Sequence, residues 1–140
     1  MTDLFVEVWG SGERVVLVHG SLATGADEWQ AQRPLADEAF RLLVPDRRGY
    51  GRSPMAHGED FLVDADDIAD LMGNGSHLVG HSYGGLGVML AAGRRPEATL
   101  SLTLLEPPTF TLVSKIQLPG RSRQKSAQSG IRLSQIRSGP

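Results

Sequence analysis

Four short runs rich in Val and Leu recur along the first 105 residues, each stopped by Gly, Pro or a polar pair. They are Arg14 to His19, Phe40 to Val44, His77 to Val79 and Thr99 to Leu105. Runs this short and this apolar are those of strands covered on both faces, which is the character of a parallel sheet. Parallel strands need helical crossovers, and the segments between the runs have helix length. A fifth segment, Leu4 to Trp9, alternates apolar and polar side chains, as a half-exposed strand near a sheet edge does. The chain therefore reads as α/β.

The intervening segments are predicted as helices. Asp27 and Gln30 have capping-box spacing and open a helix over Trp29 to Ala39, which Pro34 must kink or restart. The clearest helix runs from about Asp60 to Met72, because Phe61, Ala65, Ile68 and Met72 fall on one face. Asp60, Asp64, Asp67 and Asp70 lie mostly on the other side, so the acidic cluster reads as a solvated face rather than a metal site. Gly73-Asn74-Gly75 ends that helix. After Ser82, the apolar residues Leu86, Met89 and Leu90 predict another buried helix face ending near Gly93. No internal repeat is present.

Gly80-His81-Ser82-Tyr83-Gly84-Gly85 joins the third buried run to that last helix. It contains G-x-S-x-G, a pattern whose strand-to-helix setting gives it meaning. A serine lifted above a sheet edge by a very tight turn leaves no room for side chains two residues before or after it. Gly80 and Gly84 remove those side chains, and glycine also tolerates positive φ. The helix that follows points its N-terminal N–H groups at the serine, where they stabilise negative charge. Standing alone, the pattern is weak: a glycine turn with an incidental serine would look the same.

Neighbouring segments strengthen it. Val16-Leu17-Val18-His19-Gly20-Ser21 is a buried strand running into a His-Gly turn. About 25 residues on comes Val44-Pro45-Asp46-Arg47-Arg48-Gly49-Tyr50-Gly51-Arg52-Ser53, and the serine turn follows about 30 residues later. Leu104-Leu105-Glu106-Pro107-Pro108 closes the fourth run. In order and spacing these segments resemble the α/β-hydrolase superfamily: its oxyanion loop after the third strand, its D-x-R-G-x-G-x-S segment after the fourth, its nucleophile elbow and the end of its sixth strand. The resemblance covers residues 3–108, the N-terminal half of such a domain. It implies a partial α/β-hydrolase fold, a mostly parallel sheet with helices on both faces in a three-layer sandwich.

Carried over position by position, the resemblance makes Ser82 the nucleophile and gives the oxyanion hole the backbone N–H groups of Ser21 and Tyr83. Gly80, His81 and Gly84 complete the elbow. His19 and Gly20 form the oxyanion loop, with His19 shaping the loop rather than transferring protons. The Asp46–Ser53 stretch is structural, with Arg47 or Arg48 bordering the pocket at best. The implied chemistry is two-step acyl transfer to water on a small ester, lactone or amide, which needs no metal or organic cofactor. One oxyanion donor is worth about 3–4 kcal/mol of transition-state stabilisation.

Other chemistries fit less well. Gly80 and Gly85 have the first spacing of a phosphate loop, but Leu86-Gly87 replaces the required Lys-Ser/Thr. His77 and His81 are four apart, as in H-E-x-x-H, yet Leu78 stands where Glu is needed and the segment reads as a strand. The dinucleotide fingerprint is absent. Serine at position 82 sets the chain apart from relatives with an aspartate there, such as haloalkane dehalogenases and most epoxide hydrolases of this fold. Without cysteine there is neither a disulfide nor a thiol nucleophile. The N-terminus lacks a signal-peptide pattern and no apolar run approaches the roughly 20 residues that span a bilayer, so a cytoplasmic setting is expected.

The family's triad runs Ser, then Asp or Glu, then His. Downstream of Glu106 the sequence contains no Asp, Glu or His. Glu106 lies where some relatives place an acid, but no histidine follows for it to orient. His57 lies in the wrong loop, and His81 flanks the elbow with its side chain expected to point elsewhere. Composition changes at the same place: residues 1–112 hold all 16 acidic side chains and eight arginines, whereas residues 113–140 hold six basic side chains and no acid. The 113–140 tail reads as a disordered segment or as sequence foreign to the family, such as a frameshifted or fused end. It has no aromatic residue and its charges are dispersed, so neither nucleic acid nor membrane is expected as a partner. The expectations for the chain are weak stability, self-association through an unpaired sheet edge, and little or no turnover. The rival is a non-catalytic binding module or a non-functional truncation product.

Overall fold

The computed structural model describes residues 1–109, so the expectations for the 113–140 tail lie outside the described residues. Each buried run forms a strand. β1 (Val6–Trp9), β2 (Glu13–Val18), β3 (Phe40–Pro45), β4 (Ser76–His81) and β5 (Thr99–Leu105) make one sheet in the order β1-β3-β2-β4-β5. β1 lies at one edge, as its alternating sequence predicted; it runs antiparallel to β3, and the other pairings are parallel. Val16 pairs with Leu43 on one side and Leu78 on the other.

The pleat sends successive side chains to opposite faces, which builds two cores. Val16, Val18, Leu43 and Leu78 face α2 (Phe61–Leu71) and α3 (Tyr83–Arg94), meeting Ile68, Met72, Val88 and Ala91. Val15, Leu17, Leu42 and Val44 face α1 (Gly25–Trp29) and meet Trp29 and Trp9. Helices thus lie on both faces of the sheet, giving three layers.

α2 follows its periodicity. Phe61, Ala65, Ile68 and Met72 are buried, and Asp60 caps the helix by accepting from the N–H groups of Leu62 and Val63. The expected solvated acidic face needs correction, because Asp64 and Asp67 are also buried. Each meets an arginine of the segment after β3: Arg47 Nε lies 3.4 Å from Asp64, and Arg48 lies 2.9 Å from Asp67. The expected Trp29–Ala39 helix is corrected too. Thr24, not Asp27, is the cap, and α1 occupies Gly25–Trp29 before Gln30–Asp37 tightens into a 3-10 segment around Pro34. Proline has no N–H to donate, so the wider helical ladder cannot run through it. In α3 the buried side chains are Leu86, Val88 and Ala91, alongside the buried Gly84, Gly85 and Gly87, while Met89 and Leu90 are half-buried.

From the central strand β2 the chain crosses to β3 on one side, and from β4 to β5 on the other. The connections diverge between the C-terminal ends of β2 and β4. Open α/β sheets place ligands in such a crevice, and the His19–Ser21 loop and Ser82 flank this one.

Candidate active site

Ser82 is the residue on which β4 ends and α3 begins. Its φ of 50° and ψ of −124° lie outside the common regions for an L-residue. Backbone bonds hold it on both sides: its N–H donates to Leu105 O at 2.8 Å, and its carbonyl accepts from Gly85 N–H at 2.9 Å. Its side chain does not cap α3. The flanking glycines are required by crowding. A Cβ on Gly80 would lie 2.5 Å from Val88 Cγ2 and 2.8 Å from Gly85 Cα, and one on Gly84 would lie 2.3 Å from the His19 carbonyl oxygen. Neither glycine has positive φ, so the expectation that their conformational freedom matters is corrected; Ser82 itself carries the unusual φ.

The His19–Ser21 loop lies against this turn. A Cβ on Gly20 would sit 3.2 Å from Ser82 Cβ. His19 is fully buried, and both ring nitrogens are occupied: Nε2 accepts from Arg47 N–H at 2.8 Å, which leaves the proton on Nδ1 to donate to Gly20 O at 2.6 Å. Burial lowers its pKa and keeps it neutral, although the hydrogen bond to Gly20 O favours the charged form. It orders the loop and has no nitrogen left for proton transfer.

Two carboxylates that the sequence did not single out grip the loop. Glu28, on α1, accepts from Gly20 N–H at 3.1 and 3.2 Å and lies 3.0 Å from His81 Nδ1. Glu59 accepts from the hydroxyls of Ser21 and Tyr50 and from both terminal nitrogens of Arg47. Burial pushes Glu59 upward, but hydrogen bonds from Ser21 and Tyr50 and the Arg47 charge outweigh it and hold the carboxyl below its usual range. No sequence pattern marks either glutamate, since each meets its partners only when distant segments come together.

Arg47 is 2% exposed, with its guanidinium 4.8 Å from the ring centroids of both Tyr50 and Tyr83. Of the two arginines expected to border the pocket, Arg48 lines the neighbouring cleft and Arg47 is buried against the Tyr83 ring instead. Asp64, against Arg47 Nε, has its pKa pushed up to about 6, chiefly by burial; Arg47 opposes this and the neighbouring Asp67, Glu59 and Asp60 reinforce it. Asp46 is structural, as expected: one carboxylate oxygen accepts from Gly25 N–H and the other from Arg52 N–H. An open cleft of about 460 Å³ borders this cluster, lined by His57, Glu59, Asp60 and Asp64 among others.

A family-wide sequence model described as the alpha/beta hydrolase fold matches residues 13–135. The chain belongs to the α/β-hydrolase family. A non-heme chloroperoxidase, CPO-A1, from Kitasatospora aureofaciens is 37% identical over 109 residues, which cover 74% of this chain and 39% of that protein. A pimeloyl-[acyl-carrier protein] methyl ester esterase from Methylococcus capsulatus is 35% identical over 102 residues, covering 73% of this chain and 40% of the relative. Among solved structures, a thermophilic esterase from Thermogutta terrifontis superposes with a TM-score of 0.69 at 34% identity, over 76% of this chain and 41% of that one. The chain thus spans about two fifths of the length of these α/β-hydrolase relatives. Among the described residues, no helix is long and apolar enough to cross a membrane.

Proposed function

We propose that this α/β-hydrolase chain carries the nucleophile and oxyanion hole of a serine hydrolase acting on a small ester, lactone or amide. Ser82 attacks the acyl carbonyl, and the N–H groups of Ser21 and Tyr83 receive the developing oxyanion. The observation that carries this reading is the conformation of Ser82: a positive-φ serine at the first turn of a helix, between two glycines that admit no Cβ. Esterases among the relatives support an ester as the substrate class.

The histidines support a second part of the proposal, that the general base is not among these residues. The sequence has four. His19 is buried with both nitrogens engaged, and His81 Nδ1 is held by Glu28. His77 bonds Ser101 and Glu13, residues at the far end of their strands from Ser82. His57 lines the cleft before α2. A serine without a base keeps an ordinary hydroxyl and attacks poorly at neutral pH. The chain by itself is therefore expected to hydrolyse p-nitrophenyl acetate little faster than buffer. Hydrolysis well above buffer that Ser82→Ala abolishes contradicts the missing-base part of the proposal. The engagement of His19, His77 and His81 favours the rival reading, a non-catalytic module that keeps the pocket.

A further inference from the structure

The proposed oxyanion donors come from segments distant in sequence. Ser21 N–H lies in the loop after β2, and Tyr83 N–H opens α3 after β4. An oxyanion hole works only if both donors converge on one point, and a misplacement of about 1 Å costs on the order of 100-fold in rate. Sheet register aligns the strands up to the Val18–Gly80 pair and no further. Beyond it, something else must hold the loop against the elbow.

The peptide planes show what does. Ser21 N–H belongs to the same planar unit as Gly20 C=O, so whatever fixes that carbonyl aims the N–H. His19 Nδ1–H fixes it at 2.6 Å. The preceding plane carries Gly20 N–H, which the Glu28 carboxylate accepts at 3.1 and 3.2 Å. The same carboxylate reaches His81 Nδ1 at 3.0 Å, and His81 directly precedes the nucleophile. The Glu28 side chain is 17% exposed, so water competes little for these bonds.

We infer that Glu28 is a positioning residue for the oxyanion hole, one carboxylate tying the Gly20 N–H of the loop to the His81 imidazole of the elbow. The inference rests on the proposed nucleophile and adds to it a residue that touches no reacting atom. Glu28 sets the separation of the two donors, and its loss lets the loop drift from the elbow while the strands stay paired.

The test follows covalent labelling of Ser82 in the full chain by an alkyl fluorophosphonate, whose phosphoryl oxygen occupies the oxyanion hole, with imidazole added as an external base. Glu28→Ala is expected to slow labelling roughly 10- to 100-fold, with the melting temperature little changed. Glu28→Gln is expected to recover most of the parent rate, because its amide oxygen accepts from Gly20 N–H and His81 Nδ1–H as the carboxylate oxygen does. His81→Leu cuts the other half of the bridge, so its loss should match that of Glu28→Ala and the double variant should be no slower than either. Labelling of Glu28→Ala and His81→Leu at the parent rate overturns the inference and leaves the nucleophile standing. So does an equal slowing of Glu28→Ala and Glu28→Gln that tracks a falling melting temperature, since that is loss of structure. A parent chain that takes no label overturns the nucleophile assignment, and this inference with it.

Discussion

Ser82 holds a backbone conformation that costs on the order of 1–3 kcal/mol and persists only where the surroundings impose it. Here they are the Leu105 carbonyl, the turn to Gly85, and the close approach of α3 to β4 and the oxyanion loop. Gly84 is the most exacting of the neighbours, because its added Cβ would meet two backbone oxygens, those of His19 and Val18, at 2.3 and 2.7 Å. Backbone moves less readily than a side chain, so Gly84→Ala is expected to cost about 3 kcal/mol in urea unfolding. A loss below about 0.5 kcal/mol, the range of an ordinary surface change, contradicts that crowding. The need for small residues at these positions was legible in the motif. So was the reason, crowding across the turn; the atoms that impose it, the His19 and Val18 carbonyl oxygens and Val88, were not, because they depend on how closely α3 settles on the sheet.

Asp64 offers a second test at the same scale. Its carboxyl titrates at about 6 in the fold against an ordinary 3.8. A raised carboxyl contributes stability that is complete below the unfolded value and lost as pH rises through the folded one. Between about pH 7.5 and about pH 4.5 the parent should therefore gain roughly 2 kcal/mol over Asp64→Asn. Parallel stability curves for the two proteins across that range would show that Asp64 ionises freely.

Local sequence specifies some elements and leaves others to contacts across the fold. β2, β3, β4 and α2 carry their own periodicity, so local pattern and fold agree. α1 depends on Thr24 and on Gly25 N–H reaching Asp46, a residue on another segment, and its continuation is altered by Pro34. The buried side of α2 was half visible: the apolar stripe is local, whereas the burial of Asp64 and Asp67 requires Arg47 and Arg48 from the segment after β3. The same distinction separates Ser82, marked by its own neighbours, from Glu28 and Glu59, marked only by contacts across the fold.

For the whole molecule the informative region is the β5 side of the sheet. Among the described residues β5 is an edge strand, and Leu100, Leu102 and Leu105 are exposed along it. Beside it Val15, Leu17, Phe40 and Val79 line an apolar cleft of about 390 Å³ on the α1 face. An unpaired apolar edge is a template for pairing with another chain. We propose concentration-dependent self-association of the isolated chain, visible by sedimentation velocity and reduced by Leu102→Lys. A parent that stays monomeric across the micromolar range contradicts it.

Whether Ser82 is a nucleophile is decided by covalent labelling. With the intact chain, an alkyl fluorophosphonate and added imidazole, peptide mass spectrometry is expected to find one adduct, on Ser82. Omitting imidazole should slow its formation several-fold, and Ser82→Ala should abolish it. No adduct with imidazole present, or an adduct that survives Ser82→Ala, contradicts the account.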